Sequence, residues 1–262
     1  MFQSTENRKP SEARIPILTY HSIDRSGSVI STAPEKFRLQ MEFLSVSGYQ
    51  TVTLNDLIGA FLEKRPLSHR TVVITFDDGF QNFYTTAYPT LEEYGFSATV
   101  FLVTDHCGKF NDWSGNPTKL PRSEMLSWAQ VKELSRFGIE FGGHTRAHRD
   151  LTKLSERDIR AEMVGSKVAL EDIIGKNATT FAYPYGKLND RVRQIARDIF
   201  AAACSTNLGK VTSSSDPYSL SRVDTYYLSN PIVFESLSQR SFDRYLQVRQ
   251  AMRRLRLLID RN

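Results

Sequence analysis

The chain holds two cysteines, Cys107 and Cys204, so no disulfide framework organises it. It has no apolar run approaching the roughly 18 residues that a membrane-spanning helix needs. Met1 to Arg14 are polar and charged, without the apolar core of a secretory leader, and read as a disordered tail. A cytoplasmic location is the expectation that follows. No glycine-rich phosphate fingerprint follows the first apolar strand, which argues against a nucleotide-binding, doubly wound sheet. An excess of acid is also missing: the net charge is +5 and the pI near 9.2. From Gln239 to Asn262 seven arginines face two aspartates, which accounts for that whole excess. The body is close to neutral and carries no aromatic–basic platform, so a nucleic-acid partner is not expected.

What is present is ordinary in bulk, with 40% hydrophobic and 24% charged residues over 262 positions. That length suits one large α/β domain or two small ones. Short β-branched runs alternate with amphipathic segments along nearly the whole chain, which points to a parallel sheet. Strands are expected at 15–20, 49–53, 71–76, 98–103, 139–141, 179–182, 200–204 and 221–226. Helices are expected from Pro34, with a hydroxyl cap from the preceding Ser31-Thr32, and over 54–64, 83–93, 127–137, 155–174 and 189–198. Residues 105–122 hold Gly, Asn, Pro and Asp and read as a long loop over the site. The polar residues His21, Asp77-Asp78, His144 and Tyr185 recur at strand C-terminal ends. In a βα-barrel those ends share one face, where loops build an active site, so a barrel is the expected architecture.

The chemistry centres on Thr71-Val72-Val73-Ile74-Thr75-Phe76-Asp77-Asp78-Gly79. A buried strand ends in two adjacent carboxylates, which repel unless a cation or proton lies between them. A plain Asp-Asp-Gly turn is the competing reading. His144-Thr145-Arg146-Ala147-His148 is the second signal, two histidines spaced four apart as on one face of a helical turn. Gly142-Gly143 just before them allow close backbone approach. One carboxylate of the Asp77-Asp78 pair completes a His₂-carboxylate set with a position left for water, as in a catalytic zinc site. The other carboxylate is then free to act as a general base, and His21 is the available candidate for the acid, with a plain core histidine at a strand end as the competing reading. His69 and His106 read as ordinary loop histidines.

Thr75-Phe76-Asp77-Asp78-Gly79, His144-Thr145-x-x-His148 and Phe181-Ala182-Tyr183-Pro184-Tyr185-Gly186, in this order, resemble the motifs of the polysaccharide deacetylase (NodB-homology) carbohydrate esterases. The resemblance spans about residues 15–226. It implies a distorted (β/α)₇ barrel and metal-dependent removal of acetyl groups from a glycan, N-acetylglucosamine-type units foremost. It also implies roles: Asp77 as base, Asp78, His144 and His148 as metal ligands, and the Tyr185 N–H as an oxyanion donor. Zinc is the expected ion, with cobalt or nickel accepted by the same ligands. Where many members carry a base-orienting arginine before the Pro-Tyr pair, this chain has Ala182-Tyr183, and Arg222 on the late strand is the expected substitute. No histidine follows His148, so the late acid histidine of many members is absent. The opening Ile17-Leu18-Thr19-Tyr20-His21-Ser22 is similar to the exopolysaccharide deacetylase branch, which implies His21 as the acid.

The expected organisation is a tail over 1–14, a deacetylase-like domain over 15–235 and a basic amphipathic helix over 236–262. Tyr245, Val248, Met252, Leu255 and Ile259 form that helix's apolar stripe, expected to pack on the body, with membrane-surface contact through its basic face as the sharper alternative. Two other functions compete: an amidohydrolase on a small cyclic amide or ureide using the same fold, and a glycan-binding protein with an impaired site. Acetate release, ring opening and metal content separate the three.

Overall fold

The computed structural model describes residues 13–117 and 119–259. The disordered-tail expectation for 1–14 falls almost wholly outside them. Ten strands and eight α-helices follow one another in the expected alternation. β1 (Ile17–Tyr20), β2 (Ser22–Ile23) and β3 (Ser31–Thr32) precede α1 (Pro34–Val46), β4 (Gln50–Val52) and α2 (Leu54–Leu62). β5 (Thr71–Phe76) leads through a π-helical turn at Phe83–Ala87 into α3 (Tyr88–Glu93), then β6 (Ala98–Leu102), α4 (Trp128–Leu134) and β7 (Ile139–Gly143). α5 (Glu156–Ile174), β8 (Thr180–Ala182), α6 (Asp190–Ile199), β9 (Ala202–Leu208), β10 (Leu220–Asp224), α7 (Pro231–Glu235) and α8 (Arg240–Ile259) complete the described chain.

Seven parallel strands close a ring in the order β1-β5-β6-β7-β8-β9-β10, with β10 returning to β1. β4 pairs only with the N-terminal half of β5, at Thr71–Val73, so the expected strand near 49–53 lies outside the closed ring. This is a distorted (β/α)₇ barrel. Helices cover its outside, so the ring strands are buried on both faces and read as continuous apolar runs. β5 and β6 are buried at every residue. β1 meets α1 and β5 meets the π turn through an aromatic cluster: Tyr20 edge-on to Phe37 at 5.1 Å and Phe76 edge-on to Phe83 at 4.8 Å.

Local signals explain where most helices start. Thr53 with Asp56 and Ser127 with Gln130 form reciprocal capping boxes on α2 and α4, and Ser155 caps α5. α1 departs from the expected hydroxyl cap. Ser31-Thr32 are drawn into β3, paired with β2, which leaves Ala33 as N-cap with no side-chain bond and Pro34 to start the helix. β9 runs to Leu208, through what reads as polar loop, because Ser205 bonds back to the Leu220 carbonyl at 3.1 Å inside the barrel wall.

α8 corrects the expected packing most clearly. Its buried residues are Phe242 and Leu246, whereas Val248, Met252 and Leu255 of the expected stripe are 58%, 47% and 60% exposed. The inner bonds of its second half are polar: Gln250 accepts from the Leu208 N–H, and Arg253 donates to the Thr206 carbonyl. The Ile259 side chain lies outside the described residues. No described helix is long and apolar enough to cross a membrane.

Candidate active site

Five strand ends converge on the cavity at the C-terminal mouth of the barrel. β1 delivers His21, β5 Asp77 and Asp78, β7 His144, β8 the Tyr183–Gly186 turn, and β9 Thr206. The cavity measures about 450 Å³. Its outer walls come from the β2–β3 loop, with Val29 and Ile30, and from the long loop after β6, with Trp113 and Leu120.

Backbone strain is concentrated here. Among the described residues five non-glycine residues have positive φ, and four of them are Asp78 (71°), Thr145 (68°), His148 (53°) and Tyr185 (59°). Such conformations cost of order 1–3 kcal/mol each for residues with a Cβ and persist only where the surroundings over-determine them. They also correct the expected helical turn: residues 144–148 form no helix. Left-handed turns at Thr145 and His148 fold the segment back, and its Arg146 and Ala147 N–H groups bond to Glu162 of α5 at 2.9 and 3.0 Å. Gly142 makes the close approach its residue type suggested, since a Cβ there would lie 2.6 Å from Thr180 Oγ1 and 2.7 Å from the Phe101 ring.

Asp78, His144 and His148 are buried, and their nearest ligand atoms lie within 4.8 Å of one another. Asp78 Oδ1 stands 3.4 Å from His144 Nε2 and 3.3 Å from His148 Nε2. His144 Nδ1 lies 2.7 Å from the Ala182 carbonyl, which can only accept, so this nitrogen carries hydrogen. A neutral His144 therefore turns a lone pair on Nε2 toward a carboxylate oxygen. Two acceptors at that distance require a cation or a proton between them. The donor set fits a divalent transition metal, with two imidazoles and one carboxylate.

The electrostatics agree with shared positive charge at this point. Burial would raise the pKa of Asp78, but His144 and His148 bring it below its ordinary value. Burial would lower that of His144, and the Asp78 and Asp77 carboxylates reverse the shift. His148 is pushed down to about 3, chiefly by burial. Its Nδ1 finds no hydrogen-bond partner among the described residues. The ring is held instead by aromatics, with Trp113 at 4.6 Å and Tyr185 at 4.5 Å between centroids.

Asp77 faces a different partner. Arg222, 1% exposed, reaches across the barrel from β10. Its Nη1 donates to Asp77 Oδ1 at 2.7 Å and its Nη2 to Oδ2 at 2.6 Å. Arg222 Nε donates to the Ser205 carbonyl at 3.0 Å, which fixes the plane of the fork. Burial alone would raise the pKa of Asp77, but the guanidinium holds it far below the carboxylate range. His21 Nε2 lies 3.9 Å from Asp77 Oδ2 on the cavity side. His106 stays apart from the trio, its Nδ1 against the Phe110 carbonyl at 2.8 Å, and His69 is exposed.

The polysaccharide deacetylase family model matches residues 64–201, more than half of the chain. This chain belongs to that family. It is 30% identical over 212 residues to YxkH of Bacillus subtilis (strain 168), a protein bearing a polysaccharide deacetylase name, with 80% of this chain and 71% of that one covered. It is 29% identical over 220 residues to the poly-β-1,6-N-acetyl-D-glucosamine N-deacetylase of Staphylococcus aureus (strain MRSA252), again covering 80% and 71%. Its fold is similar to that of the Streptococcus pyogenes deacetylase PplD in complex with acetate, with a TM-score of 0.72, 28% identity and coverage of 82% and 93%. The chain is thus a hydrolase of the carbohydrate esterase type.

Within this deacetylase, every residue given a site role from the sequence reaches the cavity or touches one that does. Trp113 was missed. It is one of two tryptophans in the chain, set in the long loop after β6 among turn residues. An aromatic in a loop flanked by strand ends was the available signal. Asn111 shapes that loop, donating to the Pro121 carbonyl at 3.0 Å and accepting from the Ser123 N–H at 2.7 Å.

Proposed function

We propose that this deacetylase hydrolyses the N-acetyl group of N-acetylglucosamine-type units in a glycan, with a divalent cation, zinc foremost, held by Asp78, His144 and His148. The observation that carries the reading is a division of labour between adjacent carboxylates: Asp78 faces two imidazoles, and Asp77 faces a bidentate arginine. The likeness to an N-acetylglucosamine N-deacetylase supports the amide over an ester. What the cation supplies when bound is Lewis acidity toward the acetyl carbonyl and the attacking water.

Asp77 stays ionised at neutral pH, and the Arg222 fork fixes the orientation of its carboxylate where it lines the cavity. It takes a proton as the water oxygen attacks the acetyl carbon. A carboxylate held this far below its ordinary pKa is a weak proton acceptor, so the reading requires a water already made acidic. The Tyr185 N–H donates to the oxygen that becomes negative in the tetrahedral state. His21 gives its proton to the departing nitrogen as the C–N bond breaks, leaving a free amine and acetate. The bidentate Arg222 also removes the reason to read the site as impaired, which was the lack of an arginine before Pro184.

The test is acetate release from acetylated glucosamine oligomers, with and without chelator, in wild type, Asp77→Asn and His144→Ala. Asp77→Asn is expected to keep metal and lose most turnover, and His144→Ala to lose both. Wild-type turnover in Asp77→Asn, or release indifferent to chelator, would overturn the assignment.

A further inference from the structure

The outward face of α8 has no role in the barrel or the cavity. At 3.6 residues per turn, Val248, Ala251, Met252 and Leu255 share one arc of the helix, Arg240 and Arg254 flank one edge of it, and Arg244 continues it one turn before Val248. All four apolar residues and all three arginines are exposed. Two other arginines of the helix with described side chains are already engaged: Arg249 lies over the Tyr245 ring at 5.2 Å, and Arg253 bonds the Thr206 carbonyl. The one acid of the described helix, Asp243, is matched by Lys210 at 3.0 Å and Arg14 at 3.6 Å. Arg240, Arg244 and Arg254 have no acidic partner among the described residues.

We propose that this face docks α8 on an anionic phospholipid surface. Apolar side chains in line, edged by guanidiniums, suit a plane in which acyl chains lie beneath phosphates. The unpaired arginines are the feature that selects this occupant. An apolar strip meant for a second copy of the chain would bring the same three arginines against their like or would need acids to match them, and the helix offers none to spare. The helix is joined to the cavity wall through Arg253 and Thr206, so docking would fix the barrel mouth relative to the bilayer.

The experiment is co-sedimentation of the full chain with vesicles of phosphatidylcholine, or of equal parts phosphatidylcholine and phosphatidylglycerol. Each interfacial arginine is worth roughly a fivefold gain on an anionic surface, so the three predict roughly 100-fold tighter binding to the charged vesicles. Rising salt is expected to reduce that preference. Arg240→Gln/Arg244→Gln/Arg254→Gln should lose most of the preference, and Val248→Asp/Met252→Asp/Leu255→Asp should lose binding to both. Both variants should keep the far-UV circular dichroism of wild type and its turnover on a soluble acetylated substrate. Equal binding to neutral and anionic vesicles would overturn the proposal. So would a dimer in solution that the apolar triple variant dissociates, because the face would then be an interface between copies.

Discussion

Replacing Arg222 by methionine tests how the proposed base is held. The substitution removes both donors from a carboxylate that is 3% exposed, so solvent cannot take over their part. Two charge-assisted bonds of ~1.5–3 kcal/mol each put the loss at ~3–6 kcal/mol. The measured range of about 3–5 kcal/mol for an orphaned buried charge overlaps that figure. Asp77→Asn should be costly in the same way, because it strands the guanidinium. The double variant Asp77→Asn/Arg222→Met removes both charges and should recover ~2 kcal/mol or more of the summed loss. The assay is urea unfolding followed by circular dichroism, in chelator so that cation binding to the folded state does not shift the midpoint. Turnover should fall with stability in Arg222→Met but for a separate reason. Without the guanidinium, burial dominates and raises the Asp77 pKa, so the acid limb of kcat/KM moves to higher pH and neutral activity drops by a factor of about 10²–10⁴. Additive losses within ~0.5 kcal/mol, or an Arg222→Met enzyme with wild-type turnover, would refute the reasoning.

Three further outcomes follow from other contacts. Trp113→Ala removes one of two rings that hold His148, and should weaken cation binding by about tenfold in a competitive chelator titration, whereas Trp113→Phe should retain it; equal affinity in both variants would assign the hold to Tyr185 alone. Gly79→Ala forces a Cβ to within 2.3 Å of Leu102 Cδ2 at a φ of +86°, and should cost about 2–4 kcal/mol of unfolding free energy, with loss below ~1 kcal/mol contradicting the packing. At the opposite end of the barrel, Glu140 accepts from Thr180 Oγ1 at 2.6 Å and the Asn55 N–H at 2.9 Å, and burial raises its pKa. The folded state then binds more protons than the unfolded one just above pH 4.5, so this residue's contribution declines as pH rises through the folded pKa. Glu140→Gln should flatten that decline in unfolding measured from pH 4 to 8, and an unchanged slope would count against it.

The strand–helix alternation and the strand-end polar residues were legible because a buried parallel strand leaves few sequence solutions, and its C-terminal end must turn toward the cavity. The approach of His144 to His148 was legible only as a spacing. Four residues apart suits a helix, but the segment uses left-handed turns at Thr145 and His148 paired with Glu162 of α5, a partner far along the chain. α8 shows a different limit. Two apolar faces coexist at helical spacing, Phe242 with Leu246 and Val248 with Leu255, and periodicity cannot say which one a barrel will cover. β4 reads like its neighbours because pairing along the N-terminal half of β5 leaves the same local pattern as membership of the ring.

The reach of Arg222 to Asp77 has a consequence for how activity arises along the chain. The two residues are 145 positions apart, and they meet only when β10 docks against β1 and shuts the ring. Residues 64–201, the span shared with the family model, contain Asp77, Asp78, His144, His148 and Tyr185 but neither His21 nor Arg222. The proposed base and the arginine that holds it thus come from different stretches of polypeptide. A chain emerging from the ribosome would carry Asp78, His144 and His148, the three proposed cation ligands, before Arg222 exists to hold Asp77. On the proposed roles, closing the barrel would complete the hold on the base, and turnover would report on whether the last strand has found its place.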